Sequence, residues 1–166
     1  MIRKAAFVGI LLFSFLLDSC NSIGGNGGEN KGPEIRDGIV NQLSAEQFRK
    51  LVWDYKQAPG KFVYKGDLPC MIDFYADWCR PCRMVGPIMD KFAKEYQGKI
   101  KIFRVNTDQE QELSRLFSIS SIPVVLYIPK EGSPQMSVGA LPEETFRKAI
   151  NDVLKVNQLA DPVLKK

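Results

Sequence analysis

The segment of this chain that most restricts its fold is residues 70–82, where an apolar run leads straight into two cysteines separated by two residues. Cys70-Met71-Ile72-Asp73-Phe74-Tyr75-Ala76 carries apolar side chains at both odd and even positions. A strand of that kind is buried on both faces and requires a sheet with helices on each side. Asp73 falls on the face of Met71 and Tyr75, so its carboxyl points into an apolar layer, where loss of water raises its pKa. After Trp78-Cys79-Arg80-Pro81-Cys82 the spacing predicts a helix over residues 83–97. Met84, Ile88 and Phe92 share one stripe of it, with Val85, Met89 and Tyr96 beside them. Pro87 lies inside and is expected to kink it by removing an N–H.

Cysteines at this place have a chemical logic. A helix N-terminus presents unpaired N–H groups and a partial positive charge, and both stabilise a thiolate. Cys79, taken as the more exposed, is the expected nucleophile, and Cys82 the thiol that resolves a mixed disulfide. Pro81 would fix the turn into the helix, and Trp78 would offer a flat apolar surface for substrate. Half a zinc site and a purely structural disulfide are the other readings of the pair. The chain has no histidine, so zinc would need Cys20 or Cys70 as further ligands. So short a disulfide loop stabilises only modestly. The missing histidine also excludes a Cys–His protease pair and haem attachment through Cys-x-x-Cys-His. No metal or organic cofactor is expected. Cys70 reads as a small apolar core residue.

The other elements follow from periodicity. Ser44-Ala45-Glu46-Gln47 reads as a capping box, opening a helix to about residue 57 with Phe48, Leu51, Val52 and Tyr55 on one face. Residues 58–69 carry loop residues. Strands are predicted over 99–105, 124–128 and 135–139, and helices over 109–117 and 143–156. The last helix starts at Pro142 and has Phe146, Ala149, Ile150, Val153 and Leu154 on its inner face. Helix, strand, helix, strand, helix, strand, strand, helix is the order of an α/β protein with a central mixed sheet.

The N-terminal region reads as an export segment. Arg3 and Lys4 precede an apolar stretch over residues 5–17, too short to span a bilayer but suited to a signal peptide. Leu17-Asp18-Ser19-Cys20 resembles a bacterial lipobox, which implies a signal over residues 1–19 and a lipidated Cys20. Ordinary cleaved export and a buried helix are the other readings of this run. Residues 20–38 are rich in Gly and Asn and read as a flexible tether, reaching roughly 25 Å. The folded domain would be residues 39–166. The formal charge of +4 is spread without a basic block and gives no reason to expect nucleic acid as a partner.

The segment from Met71 to Arg83 resembles the active-site segment of the thioredoxin family. Asn106-Thr107-Asp108 is similar to the end of that family's middle strand, Ser121-Ile122-Pro123-Val124 to its cis-proline loop, and Val138-Gly139-Ala140-Leu141 to its last hairpin. The likeness covers about residues 40–156 and implies a thioredoxin fold, a mixed β-sheet flanked by helices on both faces. It implies that Asp73 takes and returns the proton of the resolving thiol. It implies a cis peptide before Pro123, with Ile122 and Pro123 facing substrate, and Gly139 on the same surface or as a plain turn glycine. Arg80 replaces the family's usual glycine and is expected to stabilise the Cys79 thiolate. Arg104 stands where many members carry a lysine near the buried acid.

The expected activity is reduction of protein disulfides through a Cys79/Cys82 dithiol–disulfide cycle in the envelope or periplasm of a bacterium. The partners would be disulfide-containing proteins and a membrane or periplasmic electron donor, with the membrane engaged only through the N-terminal lipid. A disulfide oxidase or isomerase, and a non-enzymatic binding module on the same fold, are the alternatives.

Overall fold

The computed structural model describes residues 34–156. The signal-peptide reading, Cys20 and most of the tether lie outside the described residues. Five strands form one sheet in the order β1-β3-β2-β4-β5. These are β1 (Val40–Gln42), β2 (Cys70–Tyr75), β3 (Lys101–Asn106), β4 (Val124–Ile128) and β5 (Gln135–Val138). The first three are mutually parallel, and β4 and β5 run antiparallel to their neighbours. Helices α1 (Ala45–Leu51), α2 (Cys82–Glu95), α3 (Gln111–Leu116) and α4 (Glu143–Asp152) complete the fold.

Strand alternation divides the core in two. Cys70, Ile72 and Phe74 of β2 join Phe103, Val105, Leu126 and Ile128 on the face covered by Phe48 of α1 and Leu113 of α3. Met71 joins Ile102, Val125 and Tyr127 on the other face, against Val85, Met89 and Phe92 of α2 and Phe146 and Ile150 of α4. Asp73 alternates with Met71, so it lies on the α2 face, under the helix that begins with Cys82.

Three expectations are corrected. β1 was not foreseen; it is three residues long and pairs in parallel with β3 from Val40 opposite Ile102. Helix α1 ends at Leu51 instead of running to residue 57. The Val52 carbonyl accepts from the Lys65 amide at 2.8 Å, so the returning loop takes the position of the next helical turn. Tyr55 then reaches Phe48 from a turn, with ring centroids 6.1 Å apart. The inner stripe of α2 is Val85, Met89, Phe92 and Ala93, with Tyr96 just beyond, while Met84 is 62% exposed. α2 continues through Pro87.

Candidate active site

β2 delivers the chain to the C-terminal edge of the parallel strands, where it turns through Asp77 and Trp78 and enters α2 with Pro81 as the N-cap. Cys79 and Cys82 form a disulfide, with their Cα atoms 5.3 Å apart. The start of a helix leaves N–H groups without helical partners. Here Pro81 has no N–H, Arg83 donates to the Arg80 carbonyl at 3.2 Å and Met84 to the Pro81 carbonyl at 3.1 Å. The remaining donor, the Cys82 amide, points at the Cys79 sulfur, 3.2 Å away. A backbone donor on that sulfur favours its anionic form. In the disulfide state both cysteines are 2% exposed, so the expected greater exposure of Cys79 is not present. Tyr75 and Ile122 cover the sulfur cluster, and the backbone donor is what distinguishes the two thiols.

The Ile122–Pro123 peptide is cis, and Ile122 packs on the disulfide. Gly139 adopts φ of 97°, a conformation that favours glycine, and its amide donates to the Pro123 carbonyl at 2.8 Å. That bond ties the end of β5 to the cis-proline loop. Beside the disulfide lies an open depression of about 280 Å³ lined by Trp78, Thr107, Ile119, Ser120, Ser121 and Ile122. Trp78 is 68% exposed. Its indole N–H donates to Asp108 at 2.9 Å, the Asp108 amide donates to the Asn106 side chain at 3.0 Å, and Asn106 reaches Asp77 at 3.4 Å. The holding of Trp78 by Asp108 was missed in the sequence, because the two residues meet only through the pairing of β2 with β3.

Asp73 is fully buried, and Arg104, its neighbour in the β2–β3 register, donates from Nε to its Oδ2 at 3.1 Å. Oδ1 has no hydrogen-bond partner among the described residues. Burial pushes the Asp73 carboxyl up to about 6, with the Arg104 charge pulling it down and Asp90 adding a smaller push upward. The Arg104 guanidinium lies over the Tyr75 ring, 4.2 Å from its centroid. A cleft of about 320 Å³ lined by Tyr75, Asp77, Cys82, Gly86, Asp90 and Arg104 opens over the Arg104 side of this pair. Arg80 and Pro81 are exposed beside the disulfide. Cys70 stands apart from it, a free and buried thiol pushed up to about 12 by its surroundings, as a core cysteine should be.

The chain that carries this site, a disulfide at a helix start with a buried carboxyl behind it, is similar to known proteins. The Thioredoxin family model matches residues 42–152. A thioredoxin of Borreliella burgdorferi is 43% identical over 110 residues, covering 66% of this chain and 93% of that protein. The chloroplastic M-type thioredoxin of Spinacia oleracea is 36% identical over 111 residues, covering 66% of this chain and 61% of that protein. The crystal structure of chloroplastic thioredoxin z superposes with a TM-score of 0.59 at 22% identity, over 71% of this chain and 96% of that one, a likeness of fold.

Proposed function

The chain belongs to the thioredoxin family of disulfide oxidoreductases, and on that premise we propose that it reduces protein disulfides outside the cytoplasm. The observation that carries the chemistry is the Cys82 amide on the Cys79 sulfur. It supports Cys79 as the thiolate that attacks a substrate disulfide, forming a mixed disulfide and releasing one substrate thiolate. Cys82 then gives its proton to the Asp73 carboxylate and attacks the Cys79 sulfur. The second substrate sulfur leaves as a thiolate, which the protonated Asp73 or water can protonate, and the Cys79–Cys82 disulfide results. Two electrons from a membrane or periplasmic donor return the pair to the dithiol. Trp78, Pro81, Ile122, Pro123 and Gly139 form the surface on which substrate would lie, because they surround the disulfide or hold the residues that do. The extracytoplasmic setting and the lipid on Cys20 are supported by the export-type N-terminus.

The reduction potential of the domain tests the direction. Thioredoxin itself stands at about −270 mV. The exposed Arg80 next to Cys79 favours the thiolate, and a stabilisation of about 1.4 kcal/mol raises the potential of a two-electron couple by roughly 30 mV. Equilibration with glutathione buffers should therefore give about −240 mV. A value above about −180 mV would make the protein a disulfide donor or isomerase instead. In the dithiothreitol-driven insulin assay the wild type should accelerate reduction and Cys79→Ser should not; no acceleration by the wild type would leave a binding module.

A further inference from the structure

The Arg104 guanidinium makes two side-chain contacts and lies close to a helix position that carries no side chain. Its Nε holds Asp73 at 3.1 Å, and its plane lies against Tyr75. On the side of α2, a Cβ added to Gly86 would stand 3.2 Å from Nη2, 3.6 Å from Nη1 and 3.7 Å from Cζ. Gly86 lies in the middle of a 14-residue helix and is buried, where glycine is a poor choice for helix stability. Ordinary helical packing gives no reason for glycine there. A Cβ there would press on the guanidinium, which would have to give by a few tenths of an ångström.

We propose that Gly86 is a positioning residue for Arg104: by leaving room on the inner face of α2 it lets the guanidinium reach Asp73, and the Gly86–Arg104 pair thereby sets where that carboxyl exchanges its proton. The inference rests on the disulfide-exchange reading of the site and concerns its proton step. The groups around the carboxyl are few. β3 presents Arg104, and β4 presents only the apolar Val125 opposite Asp73. α2 presents Cys82, Gly86 and Asp90 toward the cleft, with Arg83 at its lining; β2 and the turn after it add Tyr75 and Asp77. Arg104 is the cation in direct contact with the carboxylate. Asp90 acts in the opposite sense. Displacing the guanidinium should therefore move the Asp73 midpoint upward, because an adjacent cation is what favours the charged form.

The test is the titration of Asp73 in the oxidised protein, followed by carbon-13 resonance of its carboxyl in the wild type, Arg104→Met, Gly86→Val and the double variant. Arg104→Met should raise the midpoint by about one pH unit or more. Gly86→Val, which adds two methyl groups beyond a Cβ already crowding Nη2, should raise it in the same direction, and the double variant should titrate like Arg104→Met alone. If Gly86→Val does not fold, Gly86→Ala takes its place and should show a smaller upward shift that again vanishes in the Arg104→Met background. A midpoint unmoved by the Gly86 variant, or a shift that persists without Arg104, overturns the proposal. This readout needs no turnover, so it separates failure of this inference from failure of the reductase reading, which the potential and the insulin assay decide.

Discussion

Burying Asp73 destabilises the folded protein whenever the carboxyl is ionised, and the pH at which this begins can be worked out from its surroundings. Burial raises its pKa from 3.8 to about 6, against the downward pull of Arg104. In the unfolded chain the carboxyl loses its proton near pH 4. Below that pH both states are protonated and the group carries no penalty. Between about pH 4 and pH 6 the unfolded state is ionised while the native state still holds its proton, so native stability falls as pH rises. Above pH 6 the penalty is constant, at roughly 3 kcal/mol for two pKa units. Asp73→Asn removes the charge, and Arg104, which is 23% exposed, keeps contact with water. The variant should therefore exceed the wild type by about 2–3 kcal/mol at pH 8, with most of that advantage gone at pH 4. Urea unfolding of the oxidised proteins at the two pH values measures it. An advantage independent of pH would mean that Asp73 titrates at its ordinary value.

At the scale of elements, what was legible in the sequence was what is local. β2, its turn and α2 are written in consecutive residues, and the alternation of Met71 and Asp73 was enough to place the carboxyl in an apolar layer, though not to say that α2 covers it. Ser44 and Gln47 form the capping box that starts α1, each side chain on the other's backbone amide. What was not legible depends on partners distant in sequence. Val40-Asn41-Gln42 is too short to show alternation and becomes a strand only beside β3. Gly86, Tyr75 and Asp108 gain their contacts with Arg104 and Trp78 through the β2–β3 register and the packing of α2. The end of α1 is set by residues 53–65, which fold back over it. Trp53 packs on Tyr55 and Phe62 with centroids 5.8 Å and 5.2 Å away, and its indole N–H donates to the Lys61 carbonyl at 2.9 Å. Phe62 and Tyr64 extend that layer onto the core, and Tyr64 donates its hydroxyl proton to the Leu68 carbonyl. The loop is thus an aromatic cover for the α1 face. Trp53→Ala should lower stability by about 2 kcal/mol, less than the loss for a fully buried tryptophan because Trp53 is only half-buried. None of the residues packed on the disulfide comes from this loop, so the reduction potential should stay at the wild-type value. A shifted potential would mean that the cover reaches the active site.

For the whole molecule the sheet's direction matters most. β1, β2 and β3 are parallel, and the described chain enters β1 at the end of the sheet where Lys101 begins β3. Asp37 meets Lys101 at that end, 3.8 Å away. The disulfide follows the opposite end of β2, beyond Tyr75. A six-residue strand spans about 20 Å, so Asp37 and the disulfide lie toward opposite ends of the parallel strands. On the proposed lipidation of Cys20, anchoring and catalysis are expected to separate. With the export segment retained, Cys20→Ser should move the protein from the membrane fraction to the soluble envelope fraction, while its insulin-reducing rate per molecule stays within about twofold of the wild type. A single acyl chain holds a protein to a membrane only marginally, and stable anchoring takes a second chain or a basic patch. Complete recovery of the wild type in membranes would then imply more than one chain on that cysteine. Retention of Cys20→Ser in the membrane fraction would show that Cys20 is not the anchor. A wild type found wholly in the cytoplasm would remove the need for an envelope electron donor and overturn the extracytoplasmic reading, while the disulfide chemistry of Cys79 and Cys82 would stand on its own geometry.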